Sequence, residues 1–427
     1  MDYEKILLEW KSFKIPEIFK RNYELKLGID LVVTITGPRR AGKTFFCFQL
    51  MRELLNNGVP KENLLYINFE DEKLIGAKAS DLDSLFENYC GLFEKDEKDD
   101  IYLFFDEIQN VENWTNWVRR IYDTKKNVKI VLTGSSSKLL SREIATNLRG
   151  RILNKEILPM SFKEYLRFNK IPFNNKEEKY KNLIKIKKLF KDYLFEGGYP
   201  FVTINKDVPS GGILQEYYNS MIFRDVVERY RIENVNKLQI LAKFLFESTS
   251  KEMSYSKLSN KMKSLGYSLT RNTVAEYVSY MEEAYLFFQL LKYEYSMQKQ
   301  LGSIKKVYTI DNGLLNAVTF KFSEDYGKLL ENLVYIELYR RKYKIFYNRG
   351  KFECDFLLQE KDEVRGCVQI CYELNEDNRD REVKGLLEAM EKFKLKEGLI
   401  LTFDQEEEFI VEKKKVKVKP VWKWLLE

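Results

Sequence analysis

Histidine is absent from all 427 residues. Imidazole is the side chain that titrates near neutrality and the commonest nitrogen ligand of metals. Chemistry built on a histidine base, acid or metal ligand is therefore excluded. Cysteine is sparse: five, an odd number in so long a chain, do not read as a disulfide framework. Cys354, Cys367 and Cys371 lie close in sequence, but without CxxC spacing or a histidine partner they do not suggest zinc. No uninterrupted apolar run reaches about 18 residues, so no membrane-spanning helix is expected. The opening MDYEKILLEW lacks the basic start and apolar stretch of a secretory signal. The expectation is a soluble, cytoplasmic protein with no membrane contact. Excess charge is small as well: 72 Lys and Arg against 65 Asp and Glu give +7. That balance permits nucleic-acid contact without demanding it.

What is present is apolar material for several cores. Hydrophobic residues make up 44% of the chain and aromatics 14%, and this length suggests roughly two to four domains. The charged fraction of 32% exceeds the roughly 25% of ordinary soluble domains. A Lys- and Glu-rich surface of that kind is common in heat-adapted proteins.

The first third alternates short apolar runs with amphipathic segments, the pattern of a parallel sheet flanked by helices. The spacing predicts strands at Leu31–Thr36, Leu64–Phe69, Ile101–Phe105, Lys129–Thr133 and Ile152–Leu158. Residues 1–160 are read as this α/β core and 161–230 as a helical segment punctuated by Gly197-Gly198-Tyr199-Pro200. Residues 231–300 read as three helices and a strand pair, a winged helix-turn-helix. Residues 301–427 return to mixed strands and helices.

Gly37-Pro38-Arg39-Arg40-Ala41-Gly42-Lys43-Thr44 fits G-x-x-x-x-G-K-[ST], entered by an apolar strand and left by an amphipathic helix. Glycines let backbone amides curl around phosphate oxygens, and the helix N-terminus adds its dipole. Lys43 supplies a point charge to the β- and γ-phosphates, and the Thr44 hydroxyl is a ligand for Mg²⁺. A second part should be an acid at the end of a buried strand, and IYLFFDEIQ provides it. Asp106 is assigned to Mg²⁺ and Glu107 to orienting and deprotonating an attacking water. At the end of KIVLTGSSS, Thr133, Ser135 and Ser136 face the same crevice. Ser135 is the first choice for a γ-phosphate or water contact, with a Gly-Ser turn as the alternative. Arg149 and Arg151 stand just ahead of the next strand. An arginine there could stabilise transition-state charge in a neighbouring subunit or make a surface pair.

Together GPRRAGKT, the strand ending in DEIQ, TGSSSKLLS, the LRGR turn and YLFEGGYP resemble prokaryotic AAA-fold ATPases that carry a nuclease-like C-terminal domain. The resemblance runs in order over nearly the whole chain and is strongest in residues 30–200. It implies an α/β P-loop core with a helical lid, then a winged helix and an α/β restriction-endonuclease-like domain. It also implies ATP hydrolysis with Mg²⁺ and subunits that share sites through Arg151. The turn usually reads L-x-G-R with a small x, so Arg149 leaves the acting arginine open.

In the middle segment Thr270 is a good helix N-cap. Helix-turn-helix geometry would set Arg271 and Asn272 where base edges are reached, with Lys257, Lys261 and Lys263 near phosphates. A protein-docking wing is the alternative. In the C-terminal part the order resembles PD-(D/E)XK nucleases, whose site positions correspond here to Glu331, Asp355, Gln369 and Cys371. Gln369 stands for an acid and Cys371 for a lysine. Losing a carboxylate and an ammonium argues against DNA cleavage. Glu382-Val-Lys384 supplies the letters E-x-K, but on the solvated face of a helix. EKKKVKVKPVWKW reads as an edge strand guarded by lysines, with phosphate contact as the alternative. The leading functional expectation is an ATPase coupling turnover to conformational change on DNA. Its rival is a nucleotide-gated regulatory or assembly scaffold that hydrolyses slowly.

Overall fold

The computed structural model describes residues 1–135, 148, 150–319 and 325–427. It divides into two compact units, residues 1–157 and 158–427. In the first, five strands form one sheet: β1 (Val32–Thr36), β2 (Leu64–Asn68), β3 (Ile101–Asp106), β4 (Val128–Gly134) and β5 (Ile152–Glu156). All pairs are parallel, in the order β2-β3-β4-β1-β5. Every side chain of β1 is buried, as a strand covered on both faces requires. Helices α1 (Tyr3–Ser12), α2 (Lys43–Asn56), α3 (Ala79–Leu92) and α4 (Trp114–Thr124) supply the cover. The expected α/β parallel sheet is thus the fold of this unit, with strand ends within two residues of the periodic runs.

The strand order positions the site. Because β1 lies between β4 and β5, the chain's progress across the sheet reverses beside β1. Ligands of open parallel sheets bind beyond the carboxyl ends of the strands at such a reversal. The loop after β1 and the acids after β3 both open there, with β4 between them.

The second unit begins with helices: α5 (Phe162–Phe168), α6 (Lys176–Lys181), α7 (Leu183–Glu196), α8 (Pro200–Ile204) and α9 (Ser210–Ser220). The last runs into a π-helical stretch at Met221–Glu228. The paired glycines of EGGYP have a packing reason. At Gly197 (φ 77°) a Cβ would fall 2.0 Å from the Asp311 carboxylate, which accepts the Gly198 N–H at 2.7 Å and that of Leu314 at 3.1 Å. Burial pushes the Asp311 carboxyl up to about 6, against the pull of those amides.

Next come α10 (Val235–Glu247), α11 (Tyr255–Ser264) and α12 (Arg271–Glu283), with a three-stranded antiparallel sheet. Its strands β6 (Glu252–Met253), β7 (Phe287–Leu291) and β8 (Lys305–Thr309) run in the order β6-β8-β7. Helices α13 (Met297–Gly302), α14 (Asn312–Val318) and α15 (Tyr326–Arg340) lead to a six-stranded mixed sheet. Its strands are β9 (Lys344–Arg349), β10 (Glu353–Glu360), β11 (Glu363–Ile370), β12 (Glu397–Thr402), β13 (Glu407–Val411) and β14 (Lys414–Pro420). Helix α16 (Glu376–Lys392) joins β11 to β12, and α17 (Val421–Trp424) ends the chain.

The sheet order, β13-β14-β12-β11-β10-β9, corrects one expectation. The Lys-Val strand β14 is internal, and β13 is the edge. Lysines of β14 pair with Glu408, Glu397 and Glu427. Alternation within one strand cannot show that the preceding EEFIV segment folds back outside it.

Candidate nucleotide-binding site

The phosphate loop closes on itself through backbone geometry. Gly37 has φ 147°, and a Cβ there would lie 2.0 Å from the Ile157 carbonyl oxygen, so only glycine fits. Gly42 (φ 100°) starts α2 with no side-chain cap. The first-turn amides are therefore not spent on a capping side chain, as an anion site needs. Lys43, 5% exposed, directs its Nζ to the carbonyls of Gly37 at 3.1 Å and Pro38 at 3.2 Å. Ala41 is buried, and its carbonyl accepts from Arg21 Nη1 at 2.7 Å. Arg39 turns away to Glu70 at 2.9 Å, and Arg40 is exposed with φ 64°.

The acids sit where the loop points. Thr44 Oγ1 donates to Asp106 Oδ2 at 2.7 Å, and the Tyr66 hydroxyl donates to the same oxygen at 2.8 Å. Thr133 Oγ1 donates to Asp106 Oδ1 and accepts the Glu107 N–H at 2.9 Å. Burial lifts the Asp106 carboxyl above the ordinary aspartate range, with Thr133 opposing, Glu107 adding, and Thr44 and Tyr66 opposing. Glu107 has φ 53°, uncommon for a residue with a Cβ and a mark of local strain. Its Oε1 lies 3.7 Å from Lys43 Nζ, and its Oε2 accepts from Gln109 Nε2 at 2.5 Å. The loop, Asp106 and Glu107 thus converge on one crevice.

The donors suit a triphosphate with Mg²⁺. Among the described residues no group of three or more Cys, Asp or Glu is arranged as a metal cage. A hydroxyl and one carboxylate, completed by phosphate oxygens and water, is the sparse oxygen set Mg²⁺ takes. Thr44 and Asp106 would hold it.

The remaining candidates are dispersed. Ser135 follows β4 and is buried, and Thr133 of the same strand joins the Asp106 carboxylate to the Glu107 backbone N–H. Arg151 lies at the amino end of β5, away from the carboxyl ends that carry the crevice. It pairs there with Asp123 at 3.3 Å and lies over the Tyr122 ring. A catalytic part for it therefore belongs only to a site shared between copies. Arg149 and Ser136 lie outside the described residues. In the second unit Arg271 and Asn272 are exposed at the start of α12, where the Thr270 side chain accepts the Thr273 N–H at 3.1 Å. Lys257 and Lys263 are exposed on α11. Lys261 pairs with Glu247 at 3.4 Å and covers the Phe244 ring.

The nuclease-like positions hold a cluster not foreseen from the sequence. Lys306 of β8, 2% exposed, donates to Glu331 and to Asp355, each at 3.0 Å, and pairs with Glu353 at 2.5 Å. Burial lowers the Lys306 ammonium, but Glu331, Tyr308, Asp355 and Glu353 outweigh it and leave its pKa well above the ordinary value. Burial also pushes Glu331 up to about 8, against the pull of Lys306. Gln369 accepts the Asp355 N–H at 3.2 Å and donates to Glu382 at 2.7 Å. Glu382 is buried, which corrects its assignment to a solvated face; a helix wheel does not reveal a buried amide donor opposite it. Burial pushes the Cys371 thiol up to about 12, which keeps it neutral, and a thiol carries no positive charge in either form, so it cannot stand in for an ammonium.

The AAA domain family matches residues 30–166, and a domain of unknown function, DUF8612, matches residues 187–325. Uncharacterized protein MJ1544 of Methanocaldococcus jannaschii is 37% identical over 439 residues, covering 99% of this chain and 95% of its own. The chain belongs to the MJ1544 family. An uncharacterized Haemophilus influenzae protein is similar to this MJ1544-family chain at 30% identity, over 88% of this chain and 92% of its own. Among solved structures, the Walker-type ATPase PABY2304 of Pyrococcus abyssi matches with a TM-score of 0.44 at 14% identity. It covers 74% of this chain and 94% of its own.

Proposed function

We propose that the protein binds and hydrolyses ATP with Mg²⁺ and couples turnover to conformational change, acting on DNA. One observation carries the ATPase reading: Lys43, Thr44, Asp106 and Glu107 meet in one crevice at the sheet's reversal point. Glu107 would orient and deprotonate the attacking water, while Lys43 and the loop amides hold the phosphates. Mg²⁺ at Thr44 and Asp106 would neutralise charge on the phosphate oxygens. With nucleotide present, Lys43 exchanges Glu107 and two carbonyls for phosphate. This differential contact is what lets a ligand shift a conformational equilibrium.

The DNA part of the proposal draws support from helix α12, preceded by α10 and α11 and followed by the β7–β8 pair. Read as a winged helix, this arrangement presents Arg271 and Asn272 exposed at the helix start and Lys257 exposed on the preceding helix. Assembly of copies that share a site through Arg151 belongs to the same reading.

The test is ATP turnover of the full chain with and without duplex DNA, beside Lys43→Ala. The proposal expects hydrolysis that Lys43→Ala abolishes and that DNA accelerates severalfold. Turnover indifferent to DNA supports the slow, nucleotide-gated scaffold instead. Equal turnover in Lys43→Ala removes the ATPase reading.

A further inference from the structure

Tyr66 lies in β2, whose other members are Leu64, Leu65, Ile67 and Asn68. Its ring has all the packing a phenylalanine would need. Phe48 is 5.1 Å away between centroids, Trp10 is 6.1 Å and Phe13 is 6.4 Å. That cluster joins α1 to α2 one turn past Thr44. The hydroxyl adds nothing to this packing. It points instead to Asp106 Oδ2 at 2.8 Å, the oxygen that also accepts from Thr44. The opposite oxygen is held by Thr133, which also holds the Glu107 amide.

We propose that Tyr66 is a positioning residue of the ATP site, which fixes the rotation of the Asp106 carboxylate toward Thr44 and so sets the affinity for the divalent cation that accompanies the nucleotide. The proposal rests on the ATPase reading above and deepens it. Its physical basis is preorganisation. A carboxylate on a single torsion is free to rotate, and a donor on each oxygen removes that freedom before any ligand arrives. Thr44 alone cannot do so, because its hydroxyl is also the magnesium-side ligand. Tyr66 is anchored by three neighbouring rings and contributes no ligand of its own. An aromatic hydroxyl has two rotatable side-chain torsions behind it, both fixed here by packing, so little order is lost in making the bond.

The phosphate loop is outside this assignment. Tyr66 makes no hydrogen bond to residues 37–43 among the described contacts, so its loss should separate metal affinity from nucleotide affinity. A merely structural role would move both, together with thermal stability.

Three forms of the full chain test this: wild type, Tyr66→Phe and Tyr66→Leu. Turnover is measured against Mg²⁺ at saturating ATP, and against ATP at saturating Mg²⁺. Mn²⁺ is also titrated into the ATP-bound protein on a Glu107→Gln background, followed by electron paramagnetic resonance, so that a readout without turnover exists. Tyr66→Phe should raise the Mg²⁺ half-saturation and the Mn²⁺ dissociation constant at least fivefold. KM for ATP at saturating Mg²⁺ should stay within twofold and the melting temperature should be unchanged. Excess Mg²⁺ should restore turnover to within threefold of wild type. Tyr66→Phe metal curves that superimpose on wild type overturn the proposal, with a loss confined to Tyr66→Leu marking the ring as packing only. A Tyr66→Phe protein weakened equally in metal, ATP and thermal stability also overturns it. Failure of the wild type to bind Mg-ATP overturns the ATPase reading itself, a separate result.

Discussion

Lys43 Nζ lies 3.7 Å from Glu107 Oε1 and within 3.2 Å of two loop carbonyls, so the protein's own oxygens take the ammonium that the phosphates would claim. The acid assigned to water activation is thus also a rival anion for Lys43. Glu107→Gln should therefore do two things at once. Turnover should drop by about 10²–10⁴-fold, the usual worth of a general base. ATP affinity should stay equal or rise, because the competing charge is gone. Turnover assays paired with nucleotide titration check this; normal hydrolysis in Glu107→Gln removes the assignment.

Lys306 makes a prediction about stability rather than chemistry. It is the buried cation among Glu331, Glu353 and Asp355. Removing one partner of a buried ion cluster leaves charge uncompensated, at a cost of about 3–5 kcal/mol. Lys306→Met should lower the urea-unfolding free energy of the full chain by that order. A loss below about 1 kcal/mol, the scale of surface pairs, would show that the carboxylates do not depend on it.

Asp311 should leave a signature in the pH dependence of stability. Its carboxyl is raised by burial from an ordinary 3.8 to about 6. Between those values the folded chain binds more protons at this position than the unfolded chain does. Stability from Asp311 is therefore fullest at low pH and declines as pH rises through about 6, by on the order of 3 kcal/mol. Other carboxylates titrate over the same range, so the comparison is with Asp311→Asn. The stability of wild type minus that of the variant should fall between pH 4 and 6 and be flat above about 7. A difference that rises over that interval contradicts the assignment.

The DNA reading rests on exposed side chains at the start of α12. Arg271→Ala and Asn272→Ala should each weaken duplex binding by about 1–3 kcal/mol if they reach base edges, with ATP affinity unchanged. Fluorescence anisotropy with labelled duplex, at stated salt, measures it. Binding indifferent to both residues would favour a protein-docking wing.

The parts of this architecture that were legible in the sequence are those governed by local periodicity. Continuous apolar runs marked β1 to β4 because largely buried strands carry little alternation to confuse, whereas β5, the partly exposed edge strand ILNKE, follows from its place after the LRGR turn. The loop from Gly37 to Thr44 was legible because its chemistry fixes both spacing and residue type. What stayed hidden depends on partners far apart in the chain. Tyr66 meets Asp106 across 40 positions and Lys306 meets Asp355 across 49. Neither residue looks special among its neighbours: Tyr66 is an aromatic in an apolar strand, and Lys306 is one lysine in a basic run. Strand register, not composition, brings the Thr133 hydroxyl onto Asp106. Glu382 reads as solvated on α16 until Gln369 is placed opposite it.

The most direct test is calorimetric titration of Mg-ATP into the folded, full-length chain, with Lys43→Ala as control. The account predicts saturable association with the wild type and none with the variant. Absence of binding to the wild type, or equal binding to both proteins, would contradict it.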